Sequence, residues 1–337
     1  MNPYAGRRLV RMTLALTIAA IVPVKASAQR TEGSFERTLT VASSPDVEIS
    51  AGSGRIEIRA GSTNRVEISA RIRAGGWGSG WFRRNGLSPE ERVRRVEANP
   101  PVEQSGNRVR IGYFTSDDWR NGVSISFTII LPAGSNVIAR TGSGSQQIEA
   151  VSGSVESHAG SGSLALKDIG AKLRASTGSG SITVDGVRGE LHATSGSGSI
   201  RGTGITGAIT ARTSSGGIDI EQVGSGHIDV SSSSGTVRVR GVRGGLQAST
   251  TSGGLIVQGE LSDDWRLSAS SGSIRINLPR NQGFDLDATT GSGSINVDFP
   301  VTAAGTIGRR SLRGSAQGGG PLLHVRTSSG GISIGRT

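Results

Sequence analysis

The chain has 337 residues, of which 53 are glycine, 10 are proline and none is cysteine, and its formal net charge is +11. The lack of cysteine excludes disulfides and thiolate metal ligands, and the glycines do not follow the three-residue period of collagen. Aromatic residues make up only 4% of the chain but apolar residues 34%, so the composition favours an aliphatic core and does not demand disorder.

The N-terminus has the order of a signal peptide. Three arginines within residues 7–11 precede an apolar stretch over residues 14–22 that is too short for a stable membrane span. The small residues at 26–28 form a cleavage site, which predicts removal of residues 1–28 during Sec export, although the paired arginines leave the twin-arginine route open. The mature chain keeps 33 basic and 26 acidic residues. We expect a periplasmic, cell-surface or secreted protein without a membrane span.

Residues 29–140 are predicted to hold irregular strands of the same domain as the rest of the chain. Apolar pairs flank Gly54 with the spacing seen in the later repeats. The run Ser88-Pro89-Glu90-Glu91 is a capping box with proline at the first helical position, and it predicts a helix to about Ala98. We expect this insertion to cover the open end of the fold, where an uncovered sheet edge would be exposed.

Residues 141–337 carry a repeat of 18 residues. The string Gly-Ser-Gly-Ser begins at positions 142, 160, 178 and 196, and its second glycine continues in phase to the end of the chain. The last step is 37 residues, so one coil near the C-terminus is expected to be degenerate. We predict that these glycines occupy the corners of a coil, where positive φ angles are needed. The predicted corner glycines are Gly144, Gly162, Gly180, Gly198, Gly216, Gly235, Gly253, Gly272, Gly293 and Gly330.

Each repeat splits into two halves that both alternate apolar and polar residues, as in Ile182/Val184 and Leu191/Ala193. Alternation with period two is typical of strands, and neighbouring repeats are expected to stack. The predicted fold is all-β: a parallel β-solenoid of about ten two-strand coils with a short capping helix. Its handedness stays open. Aliphatic residues are also expected inside the second corner, namely Val151, Ile169, Val187, Ile205, Val223 and Val242.

Three stretches carry a resemblance to a known family. The run over residues 129–148, the segment INLPRNQGFDLDATTGSGSINVDFP at 276–300 and the ending VRTSSGGISI are similar to the bacterial putative-adhesin family, a domain of unknown function. The resemblance implies an exported Gly/Ser-rich β-solenoid of the cell envelope or exterior. It implies no catalytic residues.

Catalysis would need functional groups that converge on an outer face of the solenoid. Asp219 is expected between Arg201 and Arg238, as part of a row of ion pairs, and acidic residues are not neighbours on either outer face. The four histidines are scattered, so no metal or cofactor is predicted. We therefore predict a non-catalytic structural or binding protein. The alternative is a carbohydrate-active enzyme that acts on an anionic polysaccharide, which would need clustered acids.

One irregular patch stands out before the capping helix. It consists of Trp77, Trp81, Phe82, Arg83 and Arg84. Exposed aromatic rings suit sugar faces and arginines suit anions, so the patch is a candidate contact for a glycan or phosphate. The alternative is that its rings pack under the helix. The net positive charge favours an anionic glycan or another cell-surface component as partner, and we expect no nucleic acid.

Overall fold

The structure is a computed structural model that describes residues 31–61, 64–75, 87–114, 122–303 and 308–337. The predicted signal peptide lies outside these ranges. No helix within them is long and apolar enough to cross a membrane. The N-terminal elements are β1 (Thr31–Thr40), β2 (Asp46–Ala51), β3 (Ile56–Ala60), β4 (Arg65–Ala74), α1 (Pro89–Ala98), β5 (Val102–Ser105), β6 (Arg108–Ile111) and β7 (Val123–Leu131).

Short strands continue from there to the C-terminus. The central strands are β8 (Asn136–Thr141), β9 (Gln146–Glu149), β10 (Val155–Ala159), β11 (Leu164–Ile169), β12 (Leu173–Thr177), β13 (Ile182–Val187), β14 (Leu191–Ser195), β15 (Ile200–Ile205), β16 (Ile209–Thr213), β17 (Ile218–Gln222), β18 (Ile228–Ser232), β19 (Val237–Val242), β20 (Leu246–Thr250), β21 (Leu255–Gly259), β22 (Trp265–Ala269) and β23 (Ile274–Leu278). The last strands are β24 (Phe284–Thr290), β25 (Ile295–Val297), β26 (Val301–Ala303), β27 (Ser311–Ala316), β28 (Leu322–Thr327) and β29 (Ile332–Arg336).

The strands form two long sheets, which we call the first and second walls. The first wall has 14 strands in the order β1-β4-β7-β3-β9-β11-β13-β15-β17-β19-β21-β23-β29-β25. The second wall has 15, in the order β26-β27-β24-β28-β22-β20-β18-β16-β14-β12-β10-β8-β2-β6-β5. From β8 to β23 each strand pairs in parallel with its counterpart one repeat away. The predicted parallel solenoid is therefore confirmed.

Burial follows the predicted alternation. Ile182 and Val184 on the first wall and Leu191 and Ala193 on the second are all buried, while His192 between them is exposed. The corresponding pair on β25, Ile295 and Val297, is partly exposed, because this strand is the last of its wall. The aliphatic side chains from both walls belong to one continuous core along the stack.

One predicted core residue was wrong. Val223 was expected inside the second corner, but half of its surface is exposed, and the neighbouring Gln222 is buried instead. The register explains the exchange, since Ile205 of the preceding coil pairs with Gln222 after a shift. The Gln222 amide nitrogen donates to the carbonyls of Gly207 and Gly226 at 3.2 and 2.8 Å, so polar contacts accompany its burial.

The structure gives a different reason for the corner glycines. None of the ten has a φ in the left-handed region, contrary to the expectation from sequence. Instead they form one column in which a Cβ would collide with the neighbouring coil. A Cβ on Gly180 would lie 2.0 Å from the carbonyl oxygen of Gly162, and the distances along the column are 1.7–2.1 Å. The left-handed angles occur at the second corner, at residues such as Asp168 and Gly186 with φ of 53° and 78°.

A row of buried hydroxyl groups accompanies this column. The Thr213 hydroxyl donates to the carbonyl oxygen of Gly198 in the preceding coil at 3.0 Å and accepts from the N–H of Gly216 at 3.2 Å. Ser195 and Thr250 make the same two bonds in their own coils. The sequence signal is Thr or Ser three residues before the corner glycine. Each such hydroxyl gives a hydrogen-bond partner to one backbone carbonyl and one backbone N–H that would otherwise have none.

The order of coils departs from the chain order at both ends. One coil was expected to be degenerate between Gly293 and Gly330, and there β26 and β27 pair in antiparallel fashion at the edge of the second wall. The coil that follows them, made by β28 and β29, lies between the β22–β23 coil and the β24–β25 coil. Accordingly Gly330 stacks on Gly272, and Gly293 stacks on Gly330. At the N-terminal end of the stack, β2 and β3 lie nearer the middle of their walls than β6 and β7, although β6 and β7 follow them in sequence.

The predicted capping helix is confirmed from Pro89 to Ala98. The Ser88 hydroxyl accepts from the N–H of Glu91 at 3.2 Å, and the Glu91 carboxylate accepts from the N–H of Ser88 at 2.9 Å. Val93 and Val96 are buried against the core at the N-terminal end. The helix packs on β1 and β4, two strands at the N-terminal end of the first wall.

Replacing the hydroxyl of Thr213 tests the buried row. Thr213→Val keeps the shape but removes both hydrogen bonds and leaves a buried N–H and a buried carbonyl unpaired, at about 1–3 kcal/mol for each group. The outward Thr210→Val is the matched control and should change stability by about 0.5 kcal/mol or less. Urea unfolding of the two variants measures the difference. Equal losses would show that the hydroxyls do not hold the coils together.

Deleting one repeat tests the coil. Removal of residues 180–197 joins Ser179 to Gly198 and keeps Thr177 three residues before a column glycine, so the shortened protein should still unfold cooperatively. Removal of residues 180–188 would place a second-wall strand over a first-wall strand. We expect that variant to lose protease resistance and its β circular dichroism signal. If both deletions fold equally well, the two-wall assignment is wrong.

Candidate binding surfaces

The outer faces of both walls carry the polar side chains that a ligand would meet. The aromatic and arginine patch predicted from the sequence, Trp77 to Arg84, lies outside the described residues. Within the described ranges no group of three or more His, Asp or Glu residues is placed to hold a metal ion. The remaining candidates for a site are the rows of outward side chains.

Asp219 lies in the predicted row of the first wall, between Arg201 and Arg238. Its carboxylate is 2.9 Å from the guanidinium of Arg240 and 4.0 Å from that of Arg238, while Glu221 is 3.6 Å from Arg240. Of the two predicted partners, Arg238 is at the limit of an ion pair, and Arg201 makes none with Asp219 among the described residues. Arg240, which was not predicted, is the nearest partner. These groups are partly exposed, so each pair contributes little to stability.

A short hydrogen-bonded chain crosses the second wall. His158 contacts Glu156 through Nε2 at 2.7 Å and the Ser176 hydroxyl through Nδ1, and Arg140 is 3.3 Å from the same Glu156 oxygen. A histidine between a carboxylate and a serine resembles the arrangement that activates a nucleophile. Acyl transfer also needs free N–H donors for the oxyanion. Around Ser176 the strands β10, β12 and β14 are paired in parallel, so their N–H groups serve the sheet.

A polar cleft of about 780 Å³ opens on the outer face of the first wall near its N-terminal end. Four neighbouring strands, β1, β4, β7 and β3, supply its sides. The charged lining residues are Arg55, Arg71, Arg73, Glu36 and Glu57. The hydroxyl-bearing lining residues are Ser34, Ser53, Ser69, Ser124, Ser126, Thr128 and Ser145. The cleft thus offers guanidinium and hydroxyl groups together, a combination suited to sugars that carry acidic groups.

The three arginines of the cleft differ in their partners. Arg55 is 3.2 Å from Glu57, and Arg73 is 3.0 Å from Glu32. Arg71 lies in register between Ser34 and Ser126, and no carboxylate of the described residues is within ion-pair distance of it. Its guanidinium therefore keeps its donors available for an incoming carboxylate.

Sequence reasoning missed this cleft. The alternation of β4 already indicates that Ser69, Arg71 and Arg73 share one face. However, the cleft forms because β4 pairs with β1 and β7 in antiparallel fashion, outside the repeat. Nothing in the local sequence indicates which strands those partners are.

Comparisons with known proteins give one family and, at low identity, solved structures that include the two named below. The profile of the Toastrack DUF4097 family matches residues 90–335. No curated protein matches the chain. A putative cell adhesion protein from Clostridium sporogenes has 10% identity and a TM-score of 0.23, with 90% of this chain and 100% of that one covered. A putative adhesin from Bacteroides fragilis has 10% identity and a TM-score of 0.28, with 90% and 97% covered. TM-scores this low carry no argument about function.

Proposed function

The chain belongs to the Toastrack DUF4097 family, and from that premise we propose that it is an exported, non-catalytic, adhesin-like protein that binds an acidic glycan at the cell envelope or exterior. The single observation that carries the proposal is the cleft on the first wall. Its export rests on the signal-like order of residues 1–28, which would leave one continuous solenoid domain in the mature protein.

The chemistry of the cleft favours a carboxylate-bearing sugar. A planar guanidinium matches a carboxylate through two parallel hydrogen bonds, and Arg71 is the cleft arginine without such a partner in the described residues. Serine hydroxyls on both sides of it can donate to and accept from sugar hydroxyls. The cleft volume of about 780 Å³ lies within the usual range of ligand sites, so it can take a short segment of a polymer. A uronate-containing polysaccharide is therefore the ligand that fits best.

A glycan array with uronate, sulfated and neutral polysaccharides tests the proposal on the purified protein. Arg71→Ala should weaken binding to the best uronate ligand about tenfold or more, because a charge-assisted hydrogen bond is lost. Arg201→Ala removes an equally exposed arginine from the same wall away from the cleft, and it should leave affinity within about twofold. The proposal fails if no uronate polymer binds, or if the two variants weaken binding equally.

A further inference from the structure

A second group of cationic side chains lies on the second wall, in the middle of the stack. Arg174 on β12, His192 on β14 and Thr210 on β16 are direct neighbours in register. In the next outward row Thr194 and Arg212 are neighbours on β14 and β16. Adjacent strands are about 4.8 Å apart, so these side chains share a patch that one ligand group can span. We call it the His192 patch.

The charges around His192 are predominantly positive. Arg174 has no carboxylate within ion-pair distance among the described residues, because its register neighbour Glu156 on β10 contacts Arg140 and His158 instead. The guanidinium of Arg212 contacts Asp229. Lys172 precedes Arg174 and is paired with Glu190 at 2.6 Å. Partial burial, together with Arg212, Arg174 and Lys172, holds the pKa of His192 below its usual range. In the free protein the imidazole is therefore mostly neutral at pH 7.

We propose that Arg174, His192 and Arg212 form an oxyanion site, separate from the cleft, that takes the sulfate or phosphate ester of an anionic polymer. The donors come from three adjacent strands, with the hydroxyls of Thr194 and Thr210 between them. Donors spread in this way suit a tetrahedral anion with several acceptor oxygens better than a planar carboxylate. Arg212 uses part of its guanidinium for the ion pair with Asp229, and its remaining N–H groups can donate to the bound anion.

Binding at this site is linked to protonation. An anion beside the imidazole favours its charged form, so the pKa of His192 is higher in the complex than in the free protein. The complex then holds more protons, and affinity rises as the pH falls through that pKa. The groups that face His192 are Arg174 and Lys172 from the β12 side and Arg212 and Thr210 from the β16 side, while Glu190 is held by Lys172.

Dextran sulfate and dextran phosphate are the two probes, and the one that binds more tightly identifies the ester. Arg174→Ala should weaken binding of that probe about tenfold at pH 7. Arg326→Ala is the control, since it removes an exposed arginine from the same wall away from the patch, and affinity should stay within about twofold. NMR titration of the His192 imidazole should show its pKa rising when the probe is added.

A His192→Gln variant separates this site from general attraction to a basic protein. It keeps a hydrogen-bonding side chain but cannot take up a proton, so the gain in affinity between pH 7.5 and about 5.5 should disappear. The inference is overturned if neither probe binds, if Arg174→Ala and Arg326→Ala weaken binding equally, or if the pKa of His192 does not move. The Arg71→Ala variant should bind both probes normally, which keeps this result independent of the cleft.

Discussion

The structure depends on the close approach of consecutive coils at the corner glycines. At each of these positions the Cα faces the carbonyl oxygen of the glycine one coil away, at a distance that leaves no room for a side chain. In most coils a buried Thr or Ser hydroxyl bonds to that carbonyl and to the N–H of its own corner glycine. Together with the parallel pairing of both walls, these contacts fix the distance and register between coils. The stack is cooperative because every coil needs its neighbours to complete them.

This constraint separates the positions that build the fold from those that can carry function. The inward residues must fill a thin aliphatic core, and the first corner must keep its glycine and hydroxyl. The outward side chains are free of both requirements. The two candidate sites lie among them: Arg71 in the cleft of the first wall, and His192 in the patch of the second. Because the two proposed sites are on different walls, binding at one would not block the other.

Local patterns in the sequence predict most of this architecture. The 18-residue period and the apolar alternation are visible without any knowledge of contacts, and the capping box at Ser88 fixes the helix start. Features that depend on distant pairing were not predictable. The sequence shows that a glycine recurs at the position of Gly180 in each repeat, but it does not show that a carbonyl of the neighbouring coil leaves no room for a Cβ there. It also gives no sign that Gly330 stacks on Gly272. Gln222 is buried in place of Val223 because of a register shift, whereas the polarity of the two side chains alone would predict the opposite.

Two adjacent glycines allow the most direct test of the account. A Cβ on Gly216 would lie 2.1 Å from the carbonyl oxygen of Gly198, whereas a Cβ on Gly217 would meet nothing closer than the carbonyl oxygen of Thr236 at 3.3 Å. The measurement is the free energy of unfolding of Gly216→Ala and Gly217→Ala. We predict a loss of about 3 kcal/mol or more for the first and about 1 kcal/mol or less for the second. Similar values for the two variants would contradict the claim that close approach at the glycine column holds the solenoid together.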